Sequence, residues 1–157
     1  MMKSLRNGTT HIETKSGYGL DTSTEIKLLK VAKQLSEDND TPSVDSTWLG
    51  AHAIPSKHTL ESYTEEIISE QLPLVAETKL ARSADVFCEP GWFGIDESEQ
   101  ILEAAKSYGM NLRMHIDEFS DGNGGELAAK LKVDTADHSH YTSEDNRIKM
   151  TKSGVST

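Results

Sequence analysis

The 157-residue chain carries a formal net charge of −10, with 35% hydrophobic and 27% charged residues. That length suits one domain with a real core, and the balance is that of a folded chain rather than a disordered one. So acidic a composition argues against nucleic acid and against an anionic membrane surface, since both need a basic footprint. No stretch approaches the roughly 20 apolar residues of a membrane span, and residues 1–8 lack the apolar heart of a signal peptide. The single cysteine, Cys88, excludes an internal disulfide; within Val86-Phe87-Cys88 it reads as a buried, inert thiol, and it points to a cytoplasmic address.

Residues 9–14 are short and rich in β-branched side chains, which predicts a strand. After the loop Ser16-Gly17-Tyr18-Gly19-Leu20, residues 21–35 place Ile26 and Leu29 at helical spacing, with Thr22 and Glu25 spaced as a capping box. Residues 43–49 form the next strand. A long helical stretch covers residues 60–79, and Pro73 inside it is expected to kink or split it. Residues 85–89 are a third strand. Residues 96–108 are amphipathic, with Ile101, Leu102 and Ala105 on one face and Gly109 as the stop. Residues 111–115 make a fourth strand, 122–125 a turn, 126–131 a short helix and 133–138 a fifth strand. A last helix spans 142–152, with Thr142 and Asp145 at capping-box spacing. There is no internal repeat, low-complexity tract or domain-sized linker.

Strands alternating with helices predict a parallel sheet. The unit length is that of a (β/α) barrel, but a closed barrel needs eight units and about 250 residues. The expected fold is therefore α/β, either an open sheet or a partial (β/α) TIM-type barrel. His115 and His138 each end a strand, and a helix lies between them. Parallel strand–helix units set their strand ends side by side, so two imidazoles and nearby carboxylates there are the raw material of a metal-assisted hydrolytic site. On spacing alone, His115 reads better as a satisfied histidine at a strand end than as a ligand.

The strand exits carry a resemblance. Ser16-Gly17-Tyr18-Gly19-Leu20, Leu49-Gly50-Ala51-His52-Ala53-Ile54-Pro55, Asp85-Val86-Phe87-Cys88-Glu89, His115-Ile116-Asp117-Glu118 and Ala136-Asp137-His138 occur in order and cover nearly the whole chain. Together they resemble imidazolonepropionases, a family of the amidohydrolase superfamily. The resemblance implies a metal-containing (β/α) barrel with a small β-sandwich built from both chain ends, of which residues 1–157 are one incomplete domain holding barrel strands two to six. It implies metal-dependent hydrolysis of a cyclic amide, 4-imidazolone-5-propanoate, to N-formimidoyl-L-glutamate in histidine degradation. It also implies one zinc or iron ion, a small-molecule substrate and a homodimer.

Carried over residue by residue, the resemblance makes His115 a metal ligand and His138 the group beside the substrate carbonyl. Glu118 becomes the carboxylate that meets substrate and attacking water, and Tyr18 and His52 become substrate-binding positions. A His-x-His metal pair would precede Met1 and a metal-binding aspartate would follow Thr157, so the sequence suggests a truncated frame, inactive or nearly so alone. His138-Ser139-His140 has His-x-His spelling, but His138 already has a place after the sixth barrel strand. Asp117 reads as a structural hydrogen-bonder, His11 and His58 carry no motif, and Trp48, Trp92 and Phe93 read as packing. Asp121-Gly122-Asn123-Gly124-Gly125 lacks the Lys-Ser/Thr ending of a phosphate loop and reads as a turn. Two alternatives stay open: a related amidohydrolase or deaminase with another substrate, and a non-catalytic α/β module.

Overall fold

A computed structural model describes residues 1–38 and 40–157. In chain order it runs α1 (Met2–Arg6), β1 (His11–Lys15), α2 (Thr22–Ser36), β2 (Ser43–Ala51), α3 (Leu60–Glu66), a π-helical turn (Ile67–Gln71), α4 (Leu72–Thr78), β3 (Ser83–Cys88), α5 (Ile95–Ser107), β4 (Asn111–Ile116), α6 (Gly124–Leu131), β5 (Thr135–His138) and α7 (Glu144–Ser153). All neighbouring strands pair in parallel, in the order β1-β2-β3-β4-β5. This is the strand–helix alternation expected from the sequence, one unit after the next.

The sheet is rolled. At about 4.8 Å between neighbours, the two edge strands of a flat five-stranded sheet lie about 19 Å apart. Yet Lys15 Nζ on β1 is 3.2 Å from Asp137 Oδ2 on β5. The architecture is a curled partial (β/α) barrel. Beyond α7 the chain returns alongside β5, where Ala136 N–H donates to Ser156 O at 2.8 Å and Ser156 N–H to Asp134 O at 3.1 Å.

Alternation along each strand sorts side chains by face. On β4, Leu112, Met114 and Ile116 are buried outward, while Asn111, Arg113 and His115 turn inward. The outward set packs under Leu29 of α2 and Ile101, Leu102 and Ala105 of α5 in one continuous core. Each fully buried side chain such as Ile101 contributes on the order of 1.5–3 kcal/mol.

The long helix does not split at Pro73; it changes winding just before it and continues through it. The π turn Ile67–Gln71 sits just before it, where the proline ring would crowd the Ser69 carbonyl and no N–H is left to bond it. Gly109 closes α5 as expected, with φ +78 and with Met110 N–H reaching back to Ala105 O. Two caps differ from expectation by one residue. Asp21, not Thr22, caps α2, and Glu25 turns instead to the preceding loop. Ser143, not Thr142, caps α7, because the Thr142 hydroxyl is committed to Asp117. The short α1 was not foreshadowed by any periodicity. Among the described residues no helix is long and apolar enough to cross a membrane.

Candidate functional site

The inward face reaches its chemistry at the carboxyl ends of the strands. His115, next to the end of β4, stands between Phe87 on β3 and Asp137 on β5. Its Nδ1 lies 2.9 Å from Asp85 Oδ1, and Asp85 is fully buried. Lys15 Nζ donates to Asp85 Oδ2 at 2.7 Å. His52 leaves β2 one residue past its end. Its Nε2 is 3.3 Å from His115 Nδ1, and its ring stacks on Phe87 with centroids 5.8 Å apart. His52, Asp85 and His115 offer ligand atoms within 4.8 Å of one another, a group able to bind a metal.

Burial governs the charges here. It lowers the His52 imidazole to about 3, against the pull of Asp85, so His52 is neutral at physiological pH. Burial alone would raise Asp85, but the His115 hydrogen bond and the positive charge of Lys15 hold it below the ordinary carboxylate value. Burial also pushes the Cys88 thiol up to about 11, the inert cysteine that the sequence indicated.

His138 ends β5 with φ +69. Its ring centroid is 5.3 Å from that of His115, and its Nε2 is 3.4 Å from Glu118 Oε2. Glu118 rides on the loop after β4, and two buried carboxylates hold that loop. Asp117, at φ +47, accepts the Gly122 and Gly124 N–H groups on Oδ1, and the Gly125 N–H and Thr142 hydroxyl on Oδ2. These bonds offset the strain of a left-handed non-glycine residue. Gly124 permits the approach, since a Cβ there would sit 2.6 Å from Ile116 Cβ. Glu89, just past β3, accepts the successive N–H groups of Glu118, Phe119 and Ser120 at 3.0, 3.2 and 2.9 Å.

Tyr18, at φ +57 and 65% exposed, overhangs the same opening, its ring centroid 6.4 Å from that of His52. Its loop is tied down by fully buried Glu25, which accepts the Gly19 and Leu20 N–H groups at 2.8 and 3.1 Å. Tyr18, His52, His115, Glu118 and His138 all line one cavity of about 430 Å³, with Phe87, Trp92 and Phe119 on its aromatic side. Trp48 and Phe93 pack in the core as expected. Trp92 does not: 37% exposed, it stands at the cavity mouth against Phe87 and Phe119. His140 lines a different cavity with Ser139 and Arg147, because the positive φ values at His138 and Ser139 end the strand alternation. His11 and His58 pair with Ser43 and Glu66. Sequence reasoning missed Lys15, Asp85, Glu89 and Glu25 as site-forming residues. A lone carboxylate in the otherwise apolar run Ala84-Asp85-Val86-Phe87 was the available signal.

A rolled parallel sheet with imidazoles and carboxylates converging at its carboxyl rim defines part of a (β/α) barrel with a candidate metal-dependent site. No protein-family model matches the chain. It is, however, 44% identical over 152 residues to the imidazolonepropionase of Shewanella woodyi, 45% over 153 residues to that of Alkaliphilus metalliredigens, and 46% over 155 residues to that of Thermoanaerobacter pseudethanolicus. Each alignment covers 96% of this chain, which spans only 36–37% of the length of these relatives. The chain is therefore similar to about a third of an imidazolonepropionase.

Proposed function

We propose that residues 1–157 form one incomplete barrel domain carrying the substrate-facing part of an imidazolonepropionase-type site, which hydrolyses the ring amide of 4-imidazolone-5-propanoate to N-formimidoyl-L-glutamate in histidine degradation. The observation that supports this most is the convergence of Tyr18, His52, His115, Glu118 and His138 on one cavity. A cytoplasmic homodimer accords with the same reading.

The donor set fits a divalent ion. Imidazole nitrogen and carboxylate oxygen suit zinc or iron. In this reading His115 is a ligand. When bound, the ion supplies the acidity that lets water attack near neutral pH. Glu118 is placed to accept a proton from an attacking water, and its carboxylate lies 3.4 Å from His138 Nε2 across the cavity. His138 stabilises the negative charge that develops on the ring carbonyl. Tyr18 and neutral His52 meet the substrate on the opposite wall. Phe87, Trp92 and Phe119 keep one side of the cavity apolar.

The test is a chimera in which this chain replaces the matching segment of the Shewanella woodyi enzyme. The expected product opens imidazolone propionate, and its turnover is lost on chelation of metal or on His115→Ala. The 157-residue chain alone should show little or no turnover, since one protein ligand cannot hold a catalytic ion that normally takes about three. A folded, metal-loaded chimera without activity on this substrate would count against the proposal.

A further inference from the structure

A histidine serves as a metal ligand only through the nitrogen that carries no proton, so whatever fixes the proton fixes the ligand. Asp85 is the single charged residue of β3, a strand buried along its whole length. A buried carboxylate is costly unless both oxygens are engaged. Both are: Oδ1 faces His115 Nδ1 at 2.9 Å, and Oδ2 accepts from Lys15 Nζ at 2.7 Å. Lys15 crosses the inside of the half-barrel from β1 to do this, and it also meets Asp137 Oδ2 at 3.2 Å on β5. Among the described residues no hydrogen-bond partner meets His115 Nε2; the nearest carboxylate oxygen, Asp137 Oδ2, is 3.7 Å away.

We infer that Asp85 is a positioning residue that holds His115 as the Nδ1–H tautomer and reserves Nε2 for a divalent transition metal, with Lys15 as the counter-charge that keeps Asp85 in place. The inference rests on the reading of His115 as a ligand. A rival arrangement uses the same atoms. His52 Nε2, Asp85 Oδ1 and His115 Nδ1 are separated by 2.9, 3.3 and 3.8 Å. Ligands about 2.0–2.1 Å from a tetrahedral ion lie about 3.4 Å apart, so this triangle has the size to chelate directly. Two features decide against it. The shortest side is a hydrogen bond from an imidazole N–H to a carboxylate, the partner that metal-ligating histidines commonly keep on their other nitrogen. The Lys15 ammonium, moreover, already occupies the far oxygen of the same carboxylate and repels a second cation.

Nitrogen-15 spectra of the 157-residue chain, labelled at its histidine rings and recorded at a pH where the imidazoles are neutral, test this. His115 should appear as a single Nδ1–H tautomer. In Asp85→Leu it should redistribute towards Nε2–H, and in Lys15→Met the preference should weaken. In the chimera, which supplies the remaining ligands, added Zn²⁺ should shift His115 Nε2 and leave the Nδ1 proton in place, binding about 10–100-fold more weakly to Asp85→Leu. A wild-type proton on Nε2, or its loss from Nδ1 on adding Zn²⁺, would overturn the inference without any variant having to fold. A locked Nδ1–H His115 whose ring does not respond in a chimera that binds Zn²⁺ would uphold the role of Asp85 and sink the ligand reading instead.

Discussion

The two faces of the rolled sheet obey different rules. The outer face is continuous hydrocarbon: Ala84, Val86, Leu112, Met114, Ile116 and Ala136 lie under the helices, all buried. The inner face is a mesh of charge. Thr47 donates to Glu13 at 2.5 Å, Arg113 Nε lies 3.3 Å from the same carboxylate, and Lys15 ties Asp85 to Asp137. Closed barrels usually fill this space with bulky branched side chains. Charges placed there contribute little net stability, since their mutual attraction roughly repays their desolvation. The outer face therefore holds the fold, and the inner face spends part of that stability on aiming imidazoles.

Adjacent residues of β4 put this contrast to its strongest test. Met114→Ala removes a fully buried outer side chain and should cost about 3 kcal/mol in urea unfolding. His115→Ala, one residue on and facing inward, should cost less, about 1–2 kcal/mol, because Asp85 loses one partner but keeps Lys15, while it removes turnover in the chimera. Equal losses of stability at the two positions would mean that the faces do not divide the labour.

The loop that carries Glu118 lies between the two regimes. Glu89→Gln keeps the side-chain shape but weakens four charge-assisted hydrogen bonds, three from N–H groups and one from the Ser120 hydroxyl, at a cost of about 2 kcal/mol. Amide exchange locates the effect. Glu118, Phe119 and Ser120 should lose protection while the β4 amides keep theirs. Uniform loss along β4 and the loop would make Glu89 a residue of the global fold rather than a clamp on the rim.

The outer face was open to reading from sequence because its signal is periodic. Period-two and helical spacings, with Pro73 and Gly109 as punctuation, placed each strand and every helix but α1 to within a few residues. The inner face has no such code. Tyr18, His52 and Glu118 were visible only through the resemblance of their loops, since each alone reads equally well as an ordinary loop residue, whereas His138 drew notice by its place at a strand end. Their supports were hidden for a further reason. Lys15 and Asp85 are 70 residues apart and meet only because the sheet curls. The caps misled for a local reason: Asp21-Thr22 and Thr142-Ser143 each pair two competent capping residues. Which one caps depends on where Glu25 and Asp117 send their carboxylates, a tertiary matter.

Asp21 gives the smallest and cleanest contrast, a carboxylate that stabilises without lying in the interior. Its oxygens accept from the Thr24 hydroxyl, the Ser23 hydroxyl and the Thr24 N–H, at 2.7, 2.7 and 2.9 Å. The Thr24 and Ser23 hydrogen bonds lower its pKa from 3.8 to about 2. A folded-state value below the unfolded one means that the ionised cap is fully stabilising above about pH 4 and fades as pH falls towards about 2. Asp21→Ala should therefore cost about 1 kcal/mol at neutral pH, the usual worth of an N-cap. The gap between the two proteins in urea should narrow steadily below about pH 4, and Asp21→Asn should retain most of the cap throughout. A gap that stays constant with pH would assign the contribution to the shape of the side chain and not to its charge.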